Sequence, residues 1–314
     1  MNLNKPNFWD LKRPNLIAYM LMPLTIFVRI NNFILNFKVK KKDQKIKSIC
    51  IGNIYLGGTG KTPSAIKIYQ IIKKMGLEVV VGKKYYKSQL DEIMILKKKT
   101  KLIVEDDRKK ILKKAVKKCF DTVIFDDGLQ DQRLSYNLQI VCFDSQNWVG
   151  NNQLIPSGPL REKINSLKNY DCVFLKGENI YNKKIVKSIN KVNKKMKIFF
   201  TYFKVINLKK FDNKKKYLIF SGIGNPDSFK KELIKNKLNI VKEVIFPDHF
   251  EYKKKDIKNI KKIARDLNAE IITTEKDYVK ISKIDKKNIN FLKVDLVIKK
   301  EKKFINFLKT KIYD

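Results

Sequence analysis

The sequence has little histidine and cysteine for a chain of 314 residues. The single histidine, His249, excludes a histidine-rich metal centre. None of the cysteines has the spacing of a metal or redox motif. Most of them lie in or beside apolar strand-like runs, so we expect buried free thiols and a reducing compartment. The four cysteines are Cys50, Cys119, Cys142 and Cys172.

Negative charge is also scarce. The chain carries 70 lysines and arginines against 31 acidic residues, a formal net charge of +39. Only six of the basic residues are arginine. Because lysine, asparagine and isoleucine are abundant together, this charge indicates compositional drift as much as a nucleic-acid surface. We expect affinity for anionic membranes and phosphorylated substrates, and no nucleic-acid partner.

No uninterrupted apolar run reaches the roughly 20 residues of a membrane-spanning helix. The longest covers residues 16–28, about 13 residues, and no small-residue cleavage site of a signal peptide follows it. Basic residues flank the run at Lys12, Arg13 and Lys38. The pattern predicts a helix that lies in a membrane interface, with an ordinary buried helix as the alternative.

The clearest motif lies at residues 48–63, where a β-branched run is followed by a glycine-rich turn and an amphipathic segment. Backbone amides in such a turn surround phosphates, Lys61 can reach the terminal phosphates, and Thr62 can ligate Mg²⁺. The strict pattern has glycine at position 55, where this chain has Tyr55. An ordinary glycine turn is the alternative. The predicted nucleotide-binding residues are Gly57, Gly58, Thr59, Gly60, Lys61 and Thr62.

A second motif follows a strand-like run at residues 122–125. Asp126 and Asp127 end this run, as in a Walker-B arrangement, in which a carboxylate at the end of a strand holds Mg²⁺. Adjacent acids before a glycine also occur in plain turns. Their position after a phosphate loop favours the metal-binding interpretation.

Strands and helices alternate with short loops along most of the chain, which predicts a doubly wound, mostly parallel α/β sheet of the P-loop type. Ligands of such sheets bind at the carboxyl ends of the strands, so Gly60, Asp126 and the loop at 144–162 should converge. The pattern restarts near residue 217. We therefore predict a membrane-associated helix region at 1–40, a P-loop core domain at 41–205 and a smaller α/β domain at 206–314.

Seven stretches together resemble the tetraacyldisaccharide 4′-kinase family of lipid A biosynthesis. They occur in the family's order between residues 52 and 280 and read GNIYLGGTGKTP, DE, DDGLQDQRL, LIPSGPLRE, FSGIGNP, FPDHFEY and TTEKDYVK. The resemblance implies transfer of the ATP γ-phosphate, with Mg²⁺, to the 4′-hydroxyl of a tetraacyldisaccharide 1-phosphate. It also implies action at the cytoplasmic face of the bacterial inner membrane, peripherally through the N-terminal helix. It implies no obligate protein partner.

The resemblance also implies roles for single residues. Asp91 matches the acid assigned as the base toward the 4′-hydroxyl, and His249 matches its assisting histidine. Lys61 and Asp127 complete the implied catalytic set. The implied metal-site residues are Thr62, Asp126, Asp127 and Glu92. The positions that match the substrate cleft are Tyr86, Arg108, Gln130, Arg161 and Glu162.

Two stretches depart from the family pattern. The segment 83–87 reads Lys-Lys-Tyr-Tyr-Lys, where the family usually has Ser-Arg-Gly-Tyr-Gly, and Asp131 replaces a histidine. We expect Asp131 to point away from the transferred phosphate and to pair with a lysine or Arg133. One alternative is a P-loop ATPase of the partitioning or metal-insertion kind, although Leu56 stands in place of its signature lysine. Another is a basic membrane- or nucleic-acid-binding protein with a degenerate nucleotide site.

Overall fold

A computed structural model of the chain describes residues 5–36, 45–131, 133–177 and 179–313. The chain divides into two compact units. The larger unit contains Lys5–Tyr85, Lys99–Tyr202 and the C-terminal stretch from Leu296. The smaller unit contains Tyr86–Lys98 and Phe203–Asp295.

The strands form two separate sheets. Among the described residues, the larger sheet has eight strands in the order β12-β7-β6-β5-β1-β4-β2-β3, and the smaller has four in the order β11-β10-β8-β9. The strands are β1 (Lys47–Gly52), β2 (Val79–Lys84), β3 (Leu102–Glu105), β4 (Thr122–Asp126), β5 (Leu138–Asp144), β6 (Cys172–Lys176), β7 (Lys197–Val205), β8 (Lys216–Ser221), β9 (Asn239–Ile245), β10 (Glu270–Thr274), β11 (Ile289–Leu292) and β12 (Val294–Ile298).

Helices connect most of these strands. This alternation agrees with the predicted P-loop α/β fold and its second, smaller α/β region, both of which are confirmed. The helices are α1 (Leu16–Leu21), α2 (Thr25–Asn36), α3 (Lys61–Lys74), α4 (Leu90–Lys99), α5 (Arg108–Lys117), α6 (Asn179–Val192), α7 (Pro226–Lys235), α8 (Lys254–Asp266), α9 (Glu275–Lys280) and α10 (Glu301–Ile312).

The N-terminal helix is longer than its sequence indicated. A single 3₁₀ turn at Met22–Leu24, which contains Pro23, joins α1 to α2, so the chain is helical from residue 16 to residue 36. Its 19-residue stretch Leu16–Ile34 is long and apolar enough to cross a membrane. The short apolar run therefore does not exclude a spanning helix. Most of its large apolar side chains are exposed, which contradicts the alternative of a buried helix.

The central strands of the larger sheet are buried on both faces, as expected for a parallel sheet covered by helices. Strands β1 and β2 both pair in parallel with β4. In this register Ile51 and Lys83 each lie opposite Asp126. The carboxyl-terminal ends of three adjacent strands therefore meet at one edge of the sheet, where the phosphate loop begins.

The sheet of the smaller unit is also parallel between β11, β10, β8 and β9. Its apolar faces pack into two clusters that contain Tyr217 and Phe220. Helix α9 follows β10 directly, and Thr274 caps it by accepting a hydrogen bond from the backbone N–H of Asp277. This short helix places two lysines, Lys276 and Lys280, one turn apart on the same face.

Candidate active site

The phosphate loop joins β1 to α3 in the larger unit. Gly57 has a φ of +142° and Gly60 a φ of +90°, conformations that residues with a side chain rarely adopt. Helix α3 begins at Lys61, so its first backbone N–H groups have no acceptor within the helix. Among the described residues, the buried hydroxyl of Thr59 has no hydrogen-bond partner. The loop thus offers a group of donors suited to an anion.

Asn53 holds this loop in shape. Its buried side-chain amide donates to the carbonyls of Tyr55 and Gly57, the latter at 3.2 Å. Its Oδ1 accepts a hydrogen bond from the Lys61 ammonium at 3.2 Å. Sequence reasoning assigned no function to Asn53, although it lies within the phosphate-loop motif. Only the contacts of its side chain reveal its part in shaping the loop.

Tyr55, which replaces the glycine of the strict pattern, is part of the fold. It forms an isolated bridge with Leu160, and its hydroxyl donates to Asp10 at 2.6 Å and accepts from Lys5 at 2.7 Å. The side chain is almost completely buried. Tyr55 therefore does not occupy a position that requires glycine, because the positive φ angles of the turn occur at Gly57 and Gly60.

The carboxylate of Asp126 connects the loop helix to the sheet. Its Oδ2 accepts from the Thr62 hydroxyl at 2.9 Å and from the Lys83 ammonium at 3.0 Å. Both carboxylate and ammonium are buried, with side-chain exposures of 0% and 1%. Lys83 belongs to the stretch that departs from the family pattern, and sequence reasoning gave it no role. Its place opposite Asp126 in the register of β2 and β4 explains the pairing.

Asp127 lies between two cations. Its carboxylate is 3.5 Å from the Lys61 ammonium and 3.3 Å from the Arg161 guanidinium. Burial opposes ionisation of this carboxyl group, but the nearby positive charges outweigh it and hold the pKa of Asp127 well below its usual range. Asp127 is therefore ionised at neutral pH and holds Lys61 and Arg161 near the loop.

The loop before β6 reaches the same edge of the sheet, which confirms the predicted convergence. The backbone N–H of Arg161 donates to the Ile54 carbonyl at 2.7 Å, and Arg161 Nη1 donates to Gln130 Oε1 at 3.2 Å. Gln130 in turn donates to Glu162 at 3.0 Å, and the Tyr170 hydroxyl donates to Glu162 at 2.7 Å. Three of the predicted substrate-binding residues thus form one connected group.

The N-terminal segment packs against this loop. The Trp9 indole donates to the Pro156 carbonyl at 3.0 Å, and the Ser157 hydroxyl donates to the Ala18 carbonyl at 2.6 Å. The Asn32 side chain donates to the carbonyl of Arg161 at 2.9 Å. Both helical pieces of the N-terminal segment are therefore joined to the loop that carries Arg161.

Asp131 is held by two arginines. Its carboxylate accepts from Arg133 at 2.7 and 2.8 Å and from Arg108 at 3.2 Å. Burial raises the pKa of Asp131, but the two guanidinium groups overcome this effect and lower it to about 2. The expected pairing with Arg133 is confirmed. Arg108, predicted to bind substrate, also donates to the backbone carbonyl of Asp127.

The remaining predicted residues lie in the smaller unit. Asp91 and Glu92 lie in the first turn of α4, and Tyr86 precedes that helix. His249 Nδ1 is 3.1 Å from each carboxylate oxygen of Asp91. Burial raises the pKa of Asp91, but His249 and two lysines lower this pKa by more, so that the net shift is downward. The structure therefore brings Asp91 and His249 together as a hydrogen-bonded pair.

Two groups of the larger unit suit a magnesium ion. Thr62 Oγ1 and Asp126 Oδ2 are hard oxygen donors only 2.9 Å apart, at the start of the loop helix. Magnesium usually takes one or two protein oxygens and completes its shell with water and substrate phosphates. In the part of the chain that the structure describes, no cluster of three or more histidines, cysteines or acids could hold a metal unaided. The donor set therefore fits Mg²⁺ bound together with a nucleotide.

The fold and the phosphate loop define an α/β nucleotide-binding protein of the P-loop class. A family model described as tetraacyldisaccharide-1-P 4′-kinase, LpxK, matches residues 17–92 and 87–313. The chain belongs to this tetraacyldisaccharide 4′-kinase family.

Full-length relatives agree with this assignment. A tetraacyldisaccharide 4′-kinase from Pelagibacter ubique is 44% identical over 98% of both chains. Another from Rickettsia bellii is 35% identical over 88% of this chain and 89% of its own. The fold is similar to the crystal structure described as the "apo" form of LpxK from Aquifex aeolicus in complex with ATP. That match has a TM-score of 0.70 and 20% identity, and covers 95% of this chain and 100% of the other.

The buried pair of Lys83 and Asp126 leads to a stability prediction. Lys83→Met leaves the Asp126 carboxylate without its ammonium partner, and removal of one member of a buried ion pair typically costs about 3–5 kcal/mol. We expect a decrease of this size in the free energy of unfolding by urea at pH 7. Lys101→Met is the matched control, because Lys101 pairs with Glu78 on the surface and should change stability little. Equal, small effects of both variants would contradict the prediction.

The Asp131 network leads to a prediction about activity. Because both arginines already hold this carboxylate, we expect Asp131→Ala to lower turnover by less than about tenfold, which is roughly 1.4 kcal/mol of activation free energy. Asp131→His should be nearly neutral. Steady-state kinase assays measure both values. A loss of two or more orders of magnitude in Asp131→Ala would show that this acid performs a catalytic task.

The same network predicts how stability depends on pH. The pKa of Asp131 is about 3.9 in the unfolded chain, as for any aspartate, and about 2 in the folded protein. Its stabilisation is therefore complete above about pH 5 and is lost as the pH falls from about 4 toward 2. Asp131→Asn should lower the free energy of unfolding at pH 7, and the difference from wild type should shrink below pH 4. A difference that stays constant between pH 7 and pH 3 would contradict the assigned ion pairs.

Proposed function

We propose that this chain transfers the γ-phosphoryl group of ATP to the 4′-hydroxyl of a tetraacyldisaccharide 1-phosphate, giving the bis-phosphorylated lipid A precursor. The observation that carries the proposal is the Thr62–Asp126 hydrogen bond of 2.9 Å, which joins a phosphate loop to a strand-end carboxylate. This combination is typical of sites that bind the phosphates of a nucleotide together with a metal ion. The full-length relatives name the acceptor as the lipid disaccharide.

The phosphate loop binds the ATP phosphates in this proposal. The amides of residues 57–62 and the Thr59 hydroxyl donate to phosphate oxygens, and Lys61 supplies a positive charge. Lys61 is 3.2 Å from Asn53 and 3.5 Å from Asp127, so its ammonium is already held at the loop. Such preorganisation favours transfer because phosphoryl transfer depends mainly on positioning and on charge stabilisation.

Magnesium belongs to the same proposal. Thr62 and Asp126 would hold the ion, and when bound it neutralises charge on the phosphates. Asp127 keeps Lys61 and Arg161 oriented. Arg161 can then bind a phosphate oxygen with its planar guanidinium, a geometry that lysine lacks. Glu162, Gln130 and Tyr170 fix the loop that carries this arginine.

Asp91 accepts the proton of the 4′-hydroxyl in the proposed reaction, and His249 orients it. Two facts support this role: Asp91 is buried with 2% of its side chain exposed, and its pKa is lowered by its neighbours. The carboxylate is therefore ionised and fixed before the substrate binds. Both properties are required of a group that takes a proton from an alcohol.

The first test is a direct assay of the reaction. Purified full-length protein is incubated with ATP, Mg²⁺ and a tetraacylated disaccharide 1-phosphate, and the mass of the lipid product is measured. We expect the gain of one phosphoryl group. Lys61→Ala should abolish transfer while the far-ultraviolet circular dichroism stays that of the wild type. Hydrolysis of ATP without a phosphorylated lipid would favour a P-loop ATPase, and unaltered turnover in Lys61→Ala would exclude the phosphate-loop assignment.

The second test concerns the proton acceptor. General-base catalysis typically contributes about 10²–10⁴-fold, so Asp91→Asn should lower kcat by this amount and change the KM for ATP little. His249→Ala should be milder. Since both residues act in one pair, the double variant should be no slower than Asp91→Asn. Losses that multiply in the double variant would refute a common function.

The exposed helix residues support a location at the membrane surface. Phe27 and Met20 are 69% and 73% exposed, and they belong to a helical stretch of 19 apolar-rich residues. Basic residues near this stretch would attract anionic lipid. We propose that this helix attaches the protein to the cytoplasmic face of the inner membrane, where its lipid substrate lies.

A point substitution tests this attachment. Phe27→Asp removes a large apolar side chain whose burial contributes about 1.5–3 kcal/mol, so binding to vesicles with anionic phospholipid should weaken by about tenfold or more. Ile284→Asp is the matched control, since Ile284 is 87% exposed but lies in the smaller unit, outside the helix. Sedimentation with vesicles measures both. Equal binding by the two variants would contradict attachment through the helix.

A further inference from the structure

The imidazole of His249 lies between a carboxylate and an ammonium group. On one side, Nδ1 is 3.1 Å from both oxygens of Asp91. On the other side, Nε2 is 3.2 Å from the Lys276 Nζ. All of these groups belong to the smaller unit. Sequence reasoning included Lys276 in a matching motif but gave it no function.

An ammonium group constrains the proton on the neighbouring ring nitrogen. Lysine carries N–H donors and no lone pair, so a nitrogen in hydrogen-bond contact with it must accept. His249 Nε2 therefore carries no proton. A neutral imidazole has one N–H, which must then be on Nδ1, and this N–H donates to the Asp91 carboxylate. The opposite tautomer would direct an N–H at the ammonium and a lone pair at the carboxylate.

The surroundings of Lys276 favour its charged form. Its Nζ is 3.0 Å from Asp248, 3.7 Å from Asp91 and 3.9 Å from Glu92. Burial lowers the pKa of Lys276, but these three carboxylates raise it by more, so it lies above its ordinary value. The lysine is thus protonated at neutral pH and can only donate to the ring.

The backbone of His249 is also held in place. Its φ of +59° lies in the left-handed region, which is uncommon for a residue with a side chain. Its N–H donates to Asp248 Oδ1 at 3.0 Å and to the Gly222 carbonyl at 3.3 Å. Because Lys276 donates to the same Asp248 oxygen, one carboxylate positions both the ring and the ammonium.

We propose that Lys276 is a positioning residue that fixes His249 as a neutral imidazole with its proton on Nδ1. His249 then serves only to orient Asp91, and Asp91 alone accepts the proton of the acceptor hydroxyl. The catalytic consequence rests on the proposed kinase function, whereas the tautomer is a property of the free protein. The two parts can therefore fail separately.

The tautomer can be observed directly because the chain has one histidine. The full-length protein is labelled with ¹⁵N-histidine, and long-range ¹H–¹⁵N correlation spectra are recorded at pH 7 without nucleotide. We expect wild type to show one protonated Nδ1 and one unprotonated Nε2. A wild-type spectrum of the Nε2–H tautomer, or of an imidazolium, would overturn the proposal without any variant.

Two variants of Lys276 and one control test the cause. Lys276→Met should lose the pure Nδ1–H pattern, and Lys276→Arg should keep it, since a guanidinium also only donates. Lys280→Met is the matched control. Lys280 is 3.9 Å from Asp91 but is bound to Asp277 at 2.8 Å, so its loss should leave the His249 pattern unchanged. An unchanged Nδ1–H pattern in folded Lys276→Met would refute the role of Lys276.

Kinetics then test the consequence for catalysis. Lys276→Met should lower kcat by about tenfold or more, part of the 10²–10⁴-fold of a general base, with a smaller change in the KM for ATP. Lys276 acts chiefly through His249, although its ammonium is also 3.7 Å from Asp91, so adding Lys276→Met to His249→Ala should cause a further loss of well under tenfold. A further loss of tenfold or more would refute the proposed route. Absence of kinase activity in wild type with the expected spectrum would refute the proposed function and leave the tautomer assignment intact.

Discussion

The larger unit depends on one buried carboxylate. Asp126 ends β4 in the middle of the sheet, and a carboxylate buried there without compensation would cost several kcal/mol. Thr62 from the loop helix and Lys83 from β2 both donate to the same oxygen. The start of α3, and with it the end of the phosphate loop that Asn53 also holds, is therefore tied to this one charge. A loop suited to the phosphates of ATP is thus preassembled by interactions of the fold.

At this edge of the sheet, two of the many lysines form buried ion pairs with aspartates at the ends of strands. Lys83 lies opposite Asp126, and Lys176 lies opposite Asp144, each as the parallel strand's register requires. Both pairs are buried, at 3.0 and 2.9 Å. Strand-end acids in a strongly basic chain thus obtain partners from neighbouring strands. The sparse arginines are placed differently, since Arg108 and Arg161 contact the residues that follow β4.

Much of this arrangement follows from the sequence, because alternating strands and helices predict a parallel sheet and place Gly60, Asp126 and the loop of Arg161 at one edge. Lys83 and Lys276 could not be found in this way. In a chain with so many lysines, the local sequence around a buried lysine does not differ from that around an exposed one. Its partner depends instead on strand register, as for Lys83, or on its position in a short helix, as for Lys276. The length of the N-terminal helix was missed because the uninterrupted apolar run ends at residue 28, whereas the helix continues to residue 36.

The neighbours of Asp91 raise a question about its strength as the proposed proton acceptor. The hydrogen bond from His249 and the charges of Lys276 and Lys280 keep it ionised, and each of these interactions also lowers its affinity for a proton. A strong base would be needed if the hydroxyl had to lose its proton before attack. In a loose, largely dissociative transition state the bond to the nucleophile is hardly formed, and the proton leaves late. Such a reaction requires an acceptor that is ionised and correctly oriented. The environment of Asp91 therefore suits phosphoryl transfer to an alcohol better than it would suit chemistry that begins with deprotonation.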